Sequence, residues 1–229
     1  MPFHQRLRGP LIAAAALAAC LLLAGPASAQ VFIEGNLGKA FSEYGERHIP
    51  SGASDTHFSE LHPEGGLFGV GLGYHLRLGN FVVGPLIELE GSDLGNSATE
   101  VDVCPDLTVC ATKTETYTAS NRWIASGRLE AGYVVADRLL FIGAYGWTRG
   151  DIKERATVDP AVSQSNSMSA TGDGPVWSVG ADYLLGAHWS VGFRYEETTL
   201  SMKGSGFLDG GSSAKLTTTA ILGSFRWYL

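Results

Sequence analysis

Residues 176–199 read V-W-S-V-G-A-D-Y-L-L-G-A-H-W-S-V-G-F-R-Y-E-E-T-T, and this stretch decides the fold class. Apolar and aromatic residues alternate with glycine, serine and charged residues on both sides of a turn at 186–188. A period of two residues is typical of β-strands, so the stretch predicts a hairpin. One face of the hairpin is apolar, while the other carries charges that a protein core does not accept unpaired. The polar face is therefore expected to line the inside of the protein.

This alternation fits two architectures. An apolar outside and a polar inside, with aromatic residues near the strand ends, are typical of a transmembrane β-barrel whose outer band faces lipid. A soluble β-sandwich shows the same alternation, because its two apolar faces pack against each other. The rest of the chain has to distinguish them.

The first 29 residues predict an export signal. They contain a basic start, an apolar run and the small residues Ala-Ser-Ala at 27–29, which predict cleavage before Gln30. The lipobox-like L-A-A-C at 17–20 offers lipidation as an alternative, although the apolar run continues past Cys20. The expected organisation is a cleaved signal peptide over 1–29 and one mature domain over 30–229.

The mature chain is acidic. Cleavage removes two of the 16 basic residues and none of the 23 acidic ones, which leaves a formal net charge of −9. This charge argues against nucleic acid as a partner. Outside the signal, no stretch approaches the roughly 18 consecutive apolar residues of a spanning helix. A membrane would therefore be crossed by strands.

Eight strands are predicted in the mature chain. The third contains Pro85, which predicts a bulge or a locally unpaired position because a closed barrel has no free edge. The fifth is apolar on both faces, and Phe141, Tyr145 and Trp147 are expected to point outward. The predicted strands are 31–39, 67–78, 81–92, 122–135, 139–148, the two halves of 176–199, and 215–229.

Short and long connections alternate strictly between these strands. A transmembrane barrel shows this pattern because its periplasmic turns are tight and its outer loops are long, whereas a Greek-key sandwich does not require it. The sequence therefore predicts an all-β fold, an eight-stranded antiparallel up-and-down transmembrane β-barrel with both termini on the periplasmic side. The short turns lie near 79–80, 136–138 and 186–188, and the long polar segments near 40–65, 94–120, 150–174 and 201–213.

At this point the chain resembles the small eight-stranded outer-membrane barrels, the family of the OmpA membrane domain, OmpX and the opacity-type surface proteins. The resemblance rests on the strand count, the loop pattern and the ending F-R-W-Y-L at 225–229, which is similar to the assembly signal of this class but ends in Leu229. It implies a cell outer-membrane location, contact with lipopolysaccharide and other lipids, and recognition by the barrel assembly machinery. It also implies loops that contact a surface ligand or a host protein.

The lumen is expected to be plugged by side chains, since an eight-stranded barrel is just wide enough for side chains to fill it. Glu88 is expected to pair with Arg128, and Glu34 with Arg226, because these residues lie at similar heights on neighbouring strands. The predicted lumen charge network comprises Glu34, Arg77, Glu88, Glu90, Arg128, Glu130, Asp182, Arg194, Glu196 and Arg226.

Two cysteines, Cys104 and Cys110, remain after cleavage. An exported chain meets an oxidising compartment, so we expect a disulfide between them. Free thiols and a metal site are the alternatives, although no histidine is adjacent to complete a zinc site. His48, His57 and His62 lie among acidic residues in the first loop, but their spacing matches no compact motif and solvated loop residues explain them better. No metal and no cofactor are expected.

An enzymatic alternative is carried by His188-Trp189-Ser190. This pair of histidine and serine, with Glu196 or Glu197 as the acid, resembles the catalytic residues of lipid A deacylases, in which histidine activates serine for ester hydrolysis. The predicted topology places His188 on the periplasmic side, whereas lipid A occupies the outer leaflet. A residue next to an aromatic girdle is the plainer explanation.

The function expected from the sequence is non-enzymatic. We expect a monomeric outer-membrane barrel with a structural and surface-interaction role. A lipid A-modifying hydrolase is the first alternative. A narrow channel or a conduit for hydrophobic compounds, of the OmpW kind, is the second, and Pro85 is its only hint in the sequence.

Overall fold

The computed structural model describes residues 28–48, 56–57, 62–102, 113–158, 165–205 and 211–229. These segments contain ten β-strands. In chain order they are β1 (Ser28–His48), β2 (Thr56–His57), β3 (Glu64–Leu78), β4 (Phe81–Ser92), β5 (Gly95–Asp102), β6 (Lys113–Val135), β7 (Leu139–Val158), β8 (Ser165–Leu184), β9 (Trp189–Ser205) and β10 (Gly211–Tyr228). Within these segments, no helix has the length and apolar character needed to cross a membrane.

Eight of the strands close into an antiparallel barrel. They follow each other in the order β1, β10, β9, β8, β7, β6, β4 and β3, and β3 pairs with β1 to complete the ring. Glu34 of β1, for example, lies opposite Arg226 on one side and Gly71 on the other. β2 pairs with the end of β1, and β5 continues the line of β4 along β6. The expected eight-stranded barrel is confirmed.

The two ends of the barrel differ in their connections. The turns at 79–80, 136–138 and 185–188 lie at the end where β1 begins and β10 ends, which we call the turn end. Ala136 and Asp137 have φ angles of 50° and 58° there, the left-handed conformation that a tight hairpin turn needs to match the twist of its strands. The opposite end is called the loop end.

Several strands run further toward the loop end than the sequence predicted. β6 begins at Lys113 and β7 ends at Val158, nine and ten residues beyond their predicted ends. β8 begins at Ser165, eleven residues before its predicted start. Much of the segment near 150–174 is therefore strand. The pattern missed these extensions because apolar alternation marks contact with lipid, whereas backbone pairing continues into water with any side chain.

The outer face of the ring is apolar. Ile87, Leu37 and Leu129 are 69%, 68% and 55% exposed, although each lies in the middle of a strand. The fifth predicted strand, β7, has the expected orientation, with its aromatic residues Phe141, Tyr145 and Trp147 exposed. Tryptophan and tyrosine rings pack side by side on this surface: Trp189 stacks on Trp227 at 5.6 Å, and Trp177 lies 5.5 Å from Tyr195.

The pairing of β3 with β4 is interrupted at Pro85. The pairs Gly73–Leu86 and Leu76–Val83 flank a gap of two residues on each strand, and the register is the same on both sides. Proline has no N–H to donate, so it removes a hydrogen bond from the ladder without shifting it. The position is thus unpaired toward β3, one of the two outcomes that the sequence predicted, while Pro85 stays opposite Leu129 of β6.

The lumen has three layers. Apolar side chains fill it at both ends, and charged side chains fill the middle. Along β10 the order from the turn end is Tyr228, Arg226 and Leu222, all buried. The turn-end apolar layer consists of Phe32, Val82, Leu86, Val134, Leu140, Ile142, Leu184 and Tyr228. The loop-end apolar layer consists of Ala40, Leu67, Leu94, Ala220 and Leu222.

Candidate functional site

Three arginines organise the charged middle layer, and the one nearest the turn end is Arg226 of β10. Its Nε lies 2.5 Å from Glu34 Oε2, and its Nη2 lies 2.8 Å from Glu130 Oε1. Its Nη1 is 3.3 Å from Asp182 Oδ2. The guanidinium carbon Cζ also lies 4.8 Å from the centre of the Phe32 ring, so the arginine contacts the turn-end apolar layer.

Arg194 of β9 is the second arginine. Its Nη1 donates to Glu34 Oε1 at 2.7 Å, and its Nη2 donates to Glu88 Oε1 at 2.6 Å. Its Nε is 3.4 Å from Glu196 Oε2. Glu34 therefore connects Arg194 to Arg226, so that the contacts form one continuous network.

Arg128 of β6 is the third arginine and lies nearest the loop end of the network. Its Nη2 is 2.8 Å from Glu88 Oε2 and 3.0 Å from Glu196 Oε1, and its Nη1 donates to Glu196 Oε2. Its Nε donates to Ser126 Oγ at 3.0 Å. A guanidinium group that holds a carboxylate with two parallel hydrogen bonds fixes both side chains in orientation as well as in distance.

The network spans the lumen from wall to wall. In the ring of eight strands, β10 and β6 are four positions apart, as are β9 and β4. The Arg226–Glu130 and Arg194–Glu88 pairs therefore join strands that face each other across the barrel. All four side chains are at most 4% exposed. Such pairs contribute little net stability after desolvation, but breaking one leaves a buried charge without its partner. The network thus favours one closed arrangement of the strands.

Small residues on β3 make room for these long side chains. A Cβ atom on Gly69 would lie 2.8 Å from Glu90 Cγ and 2.7 Å from Asn36 Oδ1. A Cβ atom on Gly73 would lie 2.1 Å from Phe32 Cζ. The glycines on the inward face of β3 therefore allow side chains of β1 and β4 to pack directly against its backbone.

The structure gathers nine of the ten residues of the predicted charge network in the lumen. The expected neighbours Glu88 and Arg128 are 2.8 Å apart, and Glu34 and Arg226 are 2.5 Å apart. Arg77 is the exception and corrects the prediction: it lies at the turn end, half-buried, and its Nε donates to the carbonyl of Gly79 at 2.9 Å. It belongs to the last inward position of β3, where a long side chain reaches water.

Sequence reasoning left two participants out of the network. His75 Nε2 lies 2.8 Å from Glu130 Oε2, and Asn36 Nδ2 donates to Glu88 Oε1. Both are buried. The signal for them was present, since each occupies an inward position in the alternation, but neither carries a fixed charge.

The histidine and serine of the enzymatic alternative lie in different surroundings. His188 is exposed in its turn, and its Nδ1 lies 3.1 Å from the carbonyl oxygen of Tyr228. Ser190 is fully buried on the lumen side. Glu196 is held by Arg128, and Glu197 lies half-buried on the outer face. These positions bring no acid, histidine and serine together.

Several predictions fall outside the described residues. Cys104 and Cys110 lie in the segment 103–112, and the signal prediction falls almost entirely on 1–27. The side chains of His48 and His57 are also outside the described part, while His62 is exposed. The disulfide and the signal peptide therefore stay predictions.

Comparison with known proteins identifies the class. The outer membrane protein beta-barrel domain family matches residues 12–227, and the chain belongs to this family. The protein is therefore located in the bacterial outer membrane, as the sequence predicted. The turn end then faces the periplasm, the loop end faces the cell exterior, and the apolar outer face contacts lipid.

Similar solved structures are also outer-membrane proteins. The attachment invasion locus protein Ail of Yersinia pestis is 14% identical, with 86% of this chain and 99% of that chain covered and a TM-score of 0.39. OprG of Pseudomonas aeruginosa is 12% identical, with coverage of 90% and 98% and a TM-score of 0.40. The protease OmpT of Escherichia coli is 8% identical, with coverage of 87% and 97% and a TM-score of 0.49. No curated protein sequence matches the chain.

Proposed function

We propose that this protein is a non-enzymatic outer-membrane barrel that acts through its cell-surface end, with a lumen that conducts no solutes. The three-layered lumen is the observation that carries this proposal. Charged side chains joined across the barrel fill its middle, and apolar layers cover the network toward both ends. A solute would have to separate buried ion pairs and pass two apolar layers.

The strands that extend past the membrane support a surface role. About 9–11 residues suffice for a tilted strand to cross the hydrocarbon core, whereas β6, β7 and β8 have 23, 20 and 20 residues. Their loop-end halves pair with one another and with β5, so they form a sheet beyond the lipid. This exterior sheet, defined as 95–102, 113–122, 151–158 and 165–172, offers a platform of paired strands for a surface ligand or a host protein.

The placement of His188 and Ser190 supports a non-enzymatic role. Ester hydrolysis requires the histidine to lie within hydrogen-bonding distance of the serine oxygen. Here the histidine is exposed at the periplasmic turn, and the serine points into the closed lumen.

The experiment separates surface binding from conductance and catalysis. Bacteria that express the wild-type protein are tested for binding to immobilised extracellular-matrix proteins and epithelial cells. They are compared with a variant in which 95–120 and 152–170 are each replaced by a short Gly-Ser turn. A control variant is trimmed at 203–213, where β9 meets β10. Loss of binding in the first variant, with normal barrel folding in both, is the expected result.

Two further measurements address the alternatives. In planar lipid bilayers the purified protein should give no steady ion conductance. Lipid A from cells that express the wild type or the Ser190→Ala variant should keep all of its acyl chains. Steady single-channel currents would favour the narrow-channel alternative. An acyl chain lost only when Ser190 is present would favour the hydrolase. Equal binding by the wild type and the variant shortened at 95–120 and 152–170 would refute the surface role.

A further inference from the structure

Acidic groups outnumber basic groups in the lumen. When all of these groups are ionised, the carboxylates outnumber the guanidinium groups by three, and His75 beside Glu130 supplies at most one further positive charge. An unbalanced charge shielded from water is strongly unfavourable, so the lumen needs a further positive partner. The buried groups are the carboxyl groups of Glu34, Glu88, Glu90, Glu130, Asp182 and Glu196 and the guanidinium groups of Arg128, Arg194 and Arg226.

The imbalance is concentrated at Glu90. Among the residues whose side chains the structure describes, it is the buried carboxylate with no hydrogen bond on either oxygen. The nearest guanidinium nitrogens, on Arg128 and Arg194, are 3.9 and 4.0 Å away, beyond hydrogen-bonding distance. The residue is 1% exposed, so water from outside does not replace the missing partner.

The carboxylates of Glu88 and Glu196 lie close to that of Glu90. One oxygen from each of Glu88, Glu90 and Glu196 lies within 4.8 Å of the others. Two oxygens bound to the same Ca²⁺ at roughly 2.4 Å are at most about 4.8 Å apart, so the three oxygens are close enough to share one ion. Carboxylate oxygens are the ligands that hard cations prefer, and Ca²⁺ accepts irregular geometry more readily than Mg²⁺ does.

We propose that Glu90, together with Glu88 and Glu196, binds a hard divalent cation of the Ca²⁺ type inside the barrel. The ion would supply the partner that both oxygens of Glu90 lack, and it would remove two of the three excess negative charges. The ligands come from β4 and β9, which face each other across the lumen. The cation would thus join opposite walls at the exterior side of the Arg128 ion pairs.

The Glu90 side chain depends on a glycine for its position, and the site is covered toward the exterior. Gly69 lies directly opposite Glu90 on β3 and leaves the space that Glu90 occupies. Leu67 and Leu94 of the loop-end apolar layer lie between the carboxylates and the exterior. Because the lumen is closed around the site, the ion is expected to enter during folding and to exchange slowly afterwards.

The test measures metal retained after folding. Denatured, EDTA-treated protein is refolded into lipopolysaccharide-free detergent micelles, in buffer that contains either CaCl₂ or EDTA. Excess ions are removed by gel filtration, and calcium per chain is measured by mass spectrometry of the elements. The wild type folded with calcium should retain about one ion per chain, and its midpoint of urea unfolding should lie measurably above that of the EDTA sample.

The variants assign the ion to the cluster. Glu90→Gln keeps the shape of the side chain but removes its charge, and it should lower retained calcium at least about tenfold. Glu64→Gln removes an exposed carboxylate on the outer face and should retain calcium like the wild type. Folding of each variant is verified by heat-modifiable mobility on gels.

Three results would overturn the proposal. The first is wild-type protein that retains no calcium and unfolds at the same midpoint with CaCl₂ and with EDTA. The second is equal retention by Glu90→Gln and the wild type. The third is an unfolding midpoint that is the same for wild type with CaCl₂, wild type with EDTA and Glu90→Gln, which would show that Glu90 carries a proton instead of binding an ion. The comparison of the two wild-type samples decides the question even if Glu90→Gln does not fold.

Discussion

The outer and inner faces of the same strands hold the barrel in different ways. Leu129 of β6 is 55% exposed and meets lipid, which can contact any apolar side chain of similar size. Its neighbour Arg128 is 4% exposed and contacts Glu88 and Glu196 through fixed, directional bonds. The stability of the outer face therefore depends on the apolar character of each residue. The stability of the inner face depends on which specific residues contact each other.

This difference has a consequence for mutational tolerance. An apolar replacement on the outer face keeps its contact with lipid, because lipid rearranges around it. A replacement in the lumen leaves a fixed partner behind, because the opposite wall does not move to follow it. Substitutions matched for chemistry but placed on opposite faces should therefore differ in effect.

Arg226→Glu is expected to have the largest effect. The substitution removes the partner of Glu34, Glu130 and Asp182 and adds a fourth carboxylate beside them. Loss of a buried partner alone costs about 3–5 kcal/mol, and charge repulsion adds to this, so the barrel should fail to close. The measurement is heat-modifiable gel mobility after refolding.

The matched control is Arg138→Glu. Arg138 is exposed in a periplasmic turn and contacts the Tyr183 hydroxyl at 3.4 Å. It should refold like the wild type. Normal mobility of Arg226→Glu would contradict the view that the lumen network specifies closure.

Leu86→Ala is expected to be the next largest. Leu86 is fully buried in the turn-end apolar layer, and shortening a buried leucine to alanine costs about 2–5 kcal/mol. Leu72→Ala on the lipid face should cost less, because lipid fills the space that is left. Urea unfolding in phosphatidylcholine vesicles, followed by tryptophan fluorescence, compares the two. Equal losses would show that the lumen packing adapts as freely as lipid does.

Leu129→Arg tests how deep the lipid-facing band reaches. An arginine on the lipid face near the bilayer midplane costs about 2–4 kcal/mol. Leu185→Arg places the same charge beside a periplasmic turn, where the cost falls to about 0–1 kcal/mol; Leu185 is 59% exposed. The free energy of unfolding of each variant is measured in the same vesicles. A larger loss for Leu185→Arg would mean that the barrel sits at another height in the membrane.

Lys39→Ala is expected to have the smallest effect. Lys39 and Glu64 form an ion pair of 3.3 Å on the outer face, and both side chains are mostly exposed. Exposed pairs contribute about 0.2–1 kcal/mol. The unfolding midpoint should move little, and this small loss should shrink further at high salt. A loss of stability as large as that for Leu86→Ala would show that this ion pair is shielded from water.

Sequence reasoning recovered the local half of this structure. The turn-end boundaries of β4, β6 and β7 and the orientation of their residues followed from alternation, because the period of a strand is a local property. The interruption of β3–β4 pairing at Pro85 was also predictable, because proline lacks an N–H donor in any strand. The loop-end boundaries could not be predicted from alternation. Strands that extend into water can carry apolar or polar residues on either face, so the sequence shows no alternating pattern there.

The sequence by itself determined the class of the protein: an outer-membrane barrel of eight strands, apolar outside and charged inside. Only the tertiary structure decided which charges meet. Pairs between neighbouring strands such as Glu34 and Arg226 can be expected from register, but Arg226 with Glu130, Arg194 with Glu88, and the isolation of Glu90 could not. Contacts across a lumen depend on how tilt and stagger combine around the closed ring, and no local pattern records that sum.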